Sequence, residues 1–159
     1  MRFLAIALLI GCGGTDEVAE NVPDAQVAVG DPQLPPQGHA LLKTWLAERH
    51  YESWRCEDAP HPARPPGAHG TNRICNNGVL SASANGTYPV GAASVKELYQ
   101  SGRITGFAVG LKLADGDAAS SWYWYEAYGD SVIADGANRG ICVNCHAGAP
   151  RDYVFTHVR

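Results

Sequence analysis

The stretch "ITGFAVGLKLADGDAASSWYWYEAYG", residues 104–129, decides the fold. Its first part alternates in character. Phe107, Val109, Leu111 and Leu113 fall on one side of an extended chain, with Ala108, Gly110 and Lys112 on the other. "ADGD" then supplies a turn signal. "SWYWYEAY" alternates again, placing Trp122, Trp124, Glu126 and Tyr128 on one side and Tyr123, Tyr125 and Ala127 on the other. Aromatic side chains suit a pleated surface, so two such runs joined through an Asp-Gly turn predict an antiparallel hairpin.

Upstream, "YPVGAASVKELYQSG" is compatible with strand or helix, bounded by Pro89-Val90-Gly91 and by Ser101-Gly102. Residues 38–50 predict a helix. Leu41, Leu42, Trp45 and Leu46 recur at three- and four-residue spacing, and Glu48 and Arg49 lie off that face. There is no internal repeat. The sum is an α+β domain: a small, mainly antiparallel β-sheet with one or two packed helices and a C-terminal segment that carries a "CVNCH" motif.

At 159 residues the chain suits one domain that can bury a core without an obligatory metal. The formal charge of −4 argues against a nucleic-acid partner. The N-terminal "MRFLAIALLIGCGG" reads as a targeting signal, its apolar run of Phe3 to Ile10 being far shorter than the roughly 20 residues that span a bilayer. Leu9-Ile10-Gly11-Cys12 resembles a bacterial lipobox, with Cys12 as the lipidated residue. This divides the chain into a signal peptide (1–11), an acidic, proline-bearing flexible tether (12–36) and a domain (37–159). The expected location is the cell envelope, lipid-anchored on the periplasmic side or at the outer membrane. Gly13 after Cys12 favours the outer one.

Export also governs the cysteines. With Cys12 lipidated and Cys142 and Cys145 acting together, Cys56 and Cys75 remain as an expected disulfide around a proline-rich loop.

The motif Cys142-Val143-Asn144-Cys145-His146 has the arrangement that c-type haem requires. Two thiols add to the two vinyl groups on one porphyrin edge, and the adjacent imidazole reaches the iron. Three other readings stay open: a redox dithiol, a structural zinc site, and chance. A dithiol of the thioredoxin type wants a βαβ setting, and zinc wants a second ligand pair at proper spacing. The only methionine is the initiator, so the His/Met ligation of many electron carriers is excluded after signal removal. Either a second histidine (His39, His50, His61, His69 or His157) binds iron, or the sixth position is open. Five-coordinate iron is the expectation.

Three stretches, "YPVGAASVKELY" (88–99), "WYWYEAYG" (122–129) and "CVNCHAGAPRDYVFT" (142–156), resemble the cytochrome P-460 family, which includes cytochrome c prime beta. The resemblance implies a mainly antiparallel β fold, often dimeric, with one covalent haem c held by Cys142 and Cys145 and His146 as the axial iron ligand. It implies a redox partner cytochrome and a small-molecule ligand, hydroxylamine or nitric oxide. It also implies a lysine joined to the porphyrin in the members that oxidise hydroxylamine. Lys96 matches that position, although the gas-binding branch lacks the link. Those oxidisers use a distal carboxylate, for which Glu97 and Glu126 are the candidates. Glu97, beside Lys96 on an extended segment, is expected to face solvent. The function expected is a haem oxidoreductase acting on a small nitrogen compound. The alternatives are a nitric-oxide-binding or electron-transfer cytochrome, and a haem-free surface lipoprotein whose CxxCH holds zinc or a disulfide.

Overall fold

The computed structural model describes residues 34–155 and Val158. The signal peptide, Cys12, most of the tether and His157 lie outside the described residues. The described chain is α+β, as the alternation of residues 104–129 requires. Six strands run in chain order across one antiparallel sheet: β1 (Arg55–Cys56), β2 (Thr71–Asn76), β3 (Ala93–Gln100), β4 (Arg103–Lys112), β5 (Trp122–Tyr128) and β6 (Ser131–Ala137). The predicted hairpin is β4–β5, in register Val109 with Tyr125 and Leu111 with Tyr123. The ambiguous stretch 88–102 contains strand β3, which pairs Val95 with Val109.

Side-chain alternation gives the sheet two faces, and each is covered by a different part of the chain. The first helix, α1 (His39–Ala47), lies inside the range its apolar stripe predicts. Leu42, Trp45 and Leu46 pack with Tyr51 on Val95, Val109, Leu111, Tyr123 and Tyr125. Each such side chain, taken fully out of water, stabilises by about 1.5–3 kcal/mol. The second face carries Trp122 and Trp124, which join Leu80 of α2 (Gly78–Ala82), Tyr88 and Ala92. Against this cluster lie Cys142 and Val143 of α3 (Gly140–His146) with Tyr153 and Val154. Thus the CxxCH motif forms a short helix on the face opposite α1.

The Cys56–Cys75 disulfide is formed. Its two cysteines face each other across the β1–β2 pair. Three elements carried no clear sequence signal. β2 begins inside the proline-rich loop, α2 has five residues, and β6 reads as "SVIADGA" with little alternation.

Candidate functional site

The tail after α3 is fixed by two neighbouring side chains. Arg151 donates to the carbonyls of Ser83, Asn85 and Gly86 and to Ser83 Oγ, and its guanidinium lies 3.9 Å from the Tyr88 ring centre. Asp152 is buried among donors. Lys112 Nζ lies 2.9 and 2.8 Å from its two oxygens, the Tyr88 backbone N–H donates at 2.7 Å, and Trp122 Nε1 donates at 3.1 Å. Lys112 is itself fully buried. These anchors hold Asp152 and Tyr153 at φ of 39° and 64°, left-handed values that non-glycine residues seldom adopt. The turn they make closes with a bond from Val154 N–H to the Arg151 carbonyl at 2.8 Å.

The purpose of that turn is legible at His146. Its Nδ1 lies 2.7 Å from the Tyr153 carbonyl oxygen. A carbonyl only accepts, so the proton sits on Nδ1 and the lone pair on Nε2, the orientation typical of a metal-ligating histidine. Burial lowers the His146 pKa to about 4, against which the Tyr153 bond acts weakly, so the ring is neutral across the physiological range. The ring is walled by Trp124, with centres 4.7 Å apart, and by Phe155 at 5.4 Å.

The sheet beneath presents a row of aligned positions. Ile74, Lys96, Ala108, Glu126 and Ala134 are register partners across β2 to β6. Lys96 and Glu126 therefore flank the small Ala108, with Gly110 beside it on the same face, and a β-bulge between Glu126 and Ala127 interrupts the β5–β6 register. Bulges of this kind re-aim side chains beside functional sites. Burial lowers the Lys96 pKa to about 8, while Glu126, Glu57 and Cys145 act to raise it. Its amine is thus within electrostatic reach of both the carboxylate and the motif.

Glu97, one residue on, is not brought to this site. It projects to the α1 face, is 1% exposed, and accepts from Tyr51 at 2.9 Å and Tyr99 at 2.7 Å, with Arg73 at 3.4 Å. The expectation that it faces solvent or stands over iron is corrected by strand parity, since neighbours on a strand point to opposite faces.

Cys142 and Cys145 are free thiols, both half-buried, and burial pushes the Cys142 thiol up to about 11. Among the described residues no three His, Cys, Asp or Glu side chains converge as a metal site.

Three features fit a bound c-type haem. Two thiols and an Nε2 lone pair lie on one short helix. Ala108 and Gly110 keep the floor of the sheet low. The indole N–H of Trp124 is buried with no acceptor among the described residues, and an orphan donor at this depth fits an acceptor from a bound group.

Sequence reasoning named His69 as one of five candidate second ligands and set it aside in favour of an open sixth position. His69 sits near the end of the disulfide-closed loop, and its Nδ1 lies 3.3 Å from Glu126 Oε2, within ion-pair reach but too poorly aligned for a hydrogen bond. Its ring centre is 6.3 Å from that of His146. Proline-rich surroundings suggested a surface imidazole, and nothing local signalled otherwise.

No family model, curated protein or solved structure matches this chain. Among the described residues no helix is long and apolar enough to cross a membrane.

Proposed function

We propose that this is an exported, lipid-anchored c-type haem protein similar to the cytochrome P-460 family, acting as an oxidoreductase on a small nitrogen compound such as hydroxylamine. Cys142 and Cys145 would hold the haem through thioethers, and His146 would be its proximal ligand. The observation that carries this reading is the state of His146: a neutral ring, Nδ1–H bonded to the Tyr153 carbonyl, Nε2 free, beside two unpaired thiols. When bound, haem supplies iron that takes electrons from a small ligand.

The chain's own groups have separable roles. Arg151 and Asp152 hold the turn that presents the Tyr153 carbonyl, and Trp124 and Phe155 exclude water around the imidazole. The Lys96 amine, its pKa lowered to about 8, has a substantial neutral fraction at neutral to mildly alkaline pH. That is the nucleophilic form of the amine. Glu126, on the same face, is the candidate to accept a proton on its carboxylate.

The rival readings fit less well. Redox dithiols depend on a lowered thiol pKa, whereas burial drives Cys142 the other way. A zinc site would need further ligands converging on the motif, and none group there among the described residues.

The test is expression of the exported chain with haem-attachment machinery. The expected product is coloured and keeps the mass of one haem after denaturation, and Cys142→Ser with Cys145→Ser abolishes the attachment. Colourless protein that binds zinc through these thiols would refute the reading. Mapping of the haem peptide then reports whether Lys96 is joined to it.

A further inference from the structure

His69 and His146 come from distant parts of the sequence, yet their ring centres stand 6.3 Å apart with planes inclined at 66°. That separation falls in the range of ordinary aromatic pairs, such as Trp124 with Tyr153 at 6.3 Å, and it is also the one that two imidazoles sharing a metal would have. With a metal–nitrogen bond of about 2 Å on each side and roughly 1 Å from nitrogen to ring centre, the centres lie about 6 Å apart. The inclination imposes no obstacle, because each ring can turn about its own bond to the metal.

The two rings also share an orientation. His146 turns Nδ1 to the Tyr153 carbonyl, and His69 turns Nδ1 toward the Glu126 carboxylate. A carbonyl that accepts from one ring nitrogen orients the other toward a metal, as at His146; at His69 the Glu126 carboxylate stands at ion-pair distance without an aligned hydrogen bond. Among the described residues, neither Nε2 has a hydrogen-bond partner. The other described histidines are engaged elsewhere. His39 Nδ1 meets the Tyr125 hydroxyl at 3.0 Å on the α1 face, His50 pairs with Glu48 at 2.8 Å, and both nitrogens of His61 are taken, by the Pro62 carbonyl and by Glu57.

His69 is delivered by a constrained loop. The Cys56–Cys75 bridge closes its base. Within it, Glu57 accepts from the Ile74 N–H at 2.9 Å and pairs with His61 at 2.8 Å and Arg64 at 2.6 Å. His61 exchanges two backbone bonds with Asn72, each 2.9 Å, and Asn72 Nδ2 bonds the Gly70 carbonyl at 2.7 Å. The segment is therefore braced on both sides of His69.

We propose that His69 is the second axial ligand of the haem iron, aimed by Glu126 and carried by the disulfide-closed loop, so that the resting iron is six-coordinate and a small ligand binds by displacing His69. This rests on the haem reading above and replaces only the sequence-based expectation of an open sixth position. Glu126 is then a positioning residue as well as the candidate base.

The experiment uses the full, haem-loaded chain and optical and electron paramagnetic resonance spectra. Wild type should be low-spin in the ferric and ferrous states. His69→Ala should convert to high-spin, and added imidazole should restore the low-spin spectrum. With His69 on the iron for about nine-tenths of the time, affinity for carbon monoxide is lowered about tenfold, a loss that His69→Ala recovers. His69→Gln, closer in size, serves if the alanine variant does not accumulate. A wild-type protein with covalent haem but high-spin iron, or a His69→Ala protein that stays low-spin, overturns the assignment of His69 and leaves the haem reading standing. A chain that takes up no covalent haem overturns both.

Discussion

Replacing Asp152 by Asn should be among the most damaging single-atom changes this domain can suffer. The carboxylate, 2% exposed at its side chain, is the only counter-charge within ion-pair distance of the fully buried Lys112 among the described residues. It also accepts from the Tyr88 backbone and the Trp122 indole. Asparagine preserves shape but only one acceptor oxygen, so only one of the Tyr88 N–H and the Trp122 indole N–H, which bond different carboxylate oxygens, keeps its partner, and Lys112 is left as an uncompensated buried cation. Breaking a buried pair from one side costs about 3–5 kcal/mol. At a urea dependence of about 2 kcal/mol per molar, that lowers the unfolding midpoint by roughly 2 M. Lys112→Met in the Asp152→Asn background removes the stranded charge and should return about half of the loss or more, giving a coupling energy well above the few tenths expected of independent sites. In the chain loaded with the proposed haem, the structural consequence should also be visible at the iron. Tyr153, whose carbonyl orients His146, directly follows Asp152, so the single variant should show heterogeneous axial ligation by electron paramagnetic resonance. A midpoint shift below about 0.5 M, or a double variant no better than the single one, would refute the claim that this pair anchors the tail.

Two further outcomes follow from the same structure. Cys56→Ser with Cys75→Ser should lower stability by about 3 kcal/mol through loss of loop closure, and reductant should shift the wild-type urea midpoint but not the variant's; equal midpoints would mean that the Glu57 contacts alone hold the loop. Lys96→Met should stabilise the chain made without haem. The unfolded lysine keeps its proton up to about pH 10.5 and the folded one only to about 8, so the wild-type penalty is full below pH 8 and fades as pH rises toward 10.5. Allowing for partial exposure, the gain at pH 7 is about 1–3 kcal/mol, and the wild-type-minus-variant difference should shrink across that window; a variant no more stable than wild type at pH 7 contradicts the inferred burial cost.

Much of the fold was legible because it rests on local rules. The period-two alternation of residues 104–128 assigned β4, β5 and both of their faces, since successive strand side chains must point oppositely. The apolar spacing in residues 38–50 assigned α1, and cysteine arithmetic assigned the disulfide. β6 escaped notice because an edge strand with three exposed residues at its start has no buried face to advertise. Glu97 was misjudged for the opposite reason: a charged residue was expected in water, yet Tyr51, Tyr99 and Arg73 satisfy it in the interior.

By itself the sequence determined the chemical groups on offer: two thiols and an adjacent imidazole, a lysine and a glutamate as candidates, and no methionine beyond the first to compete for a metal. Only the tertiary structure decided which of these meet. Lys96, Glu126, His69 and His146 belong to four separate segments, and their proximity follows from strand pairing and from a braced loop crossing the sheet. No short-range pattern encodes that proximity, because it depends on register between strands and on which face each parity is dealt. The carboxylate that locks the tail, Asp152, is likewise an ordinary polar residue in the sequence until Lys112, Tyr88 and Trp122 close around it.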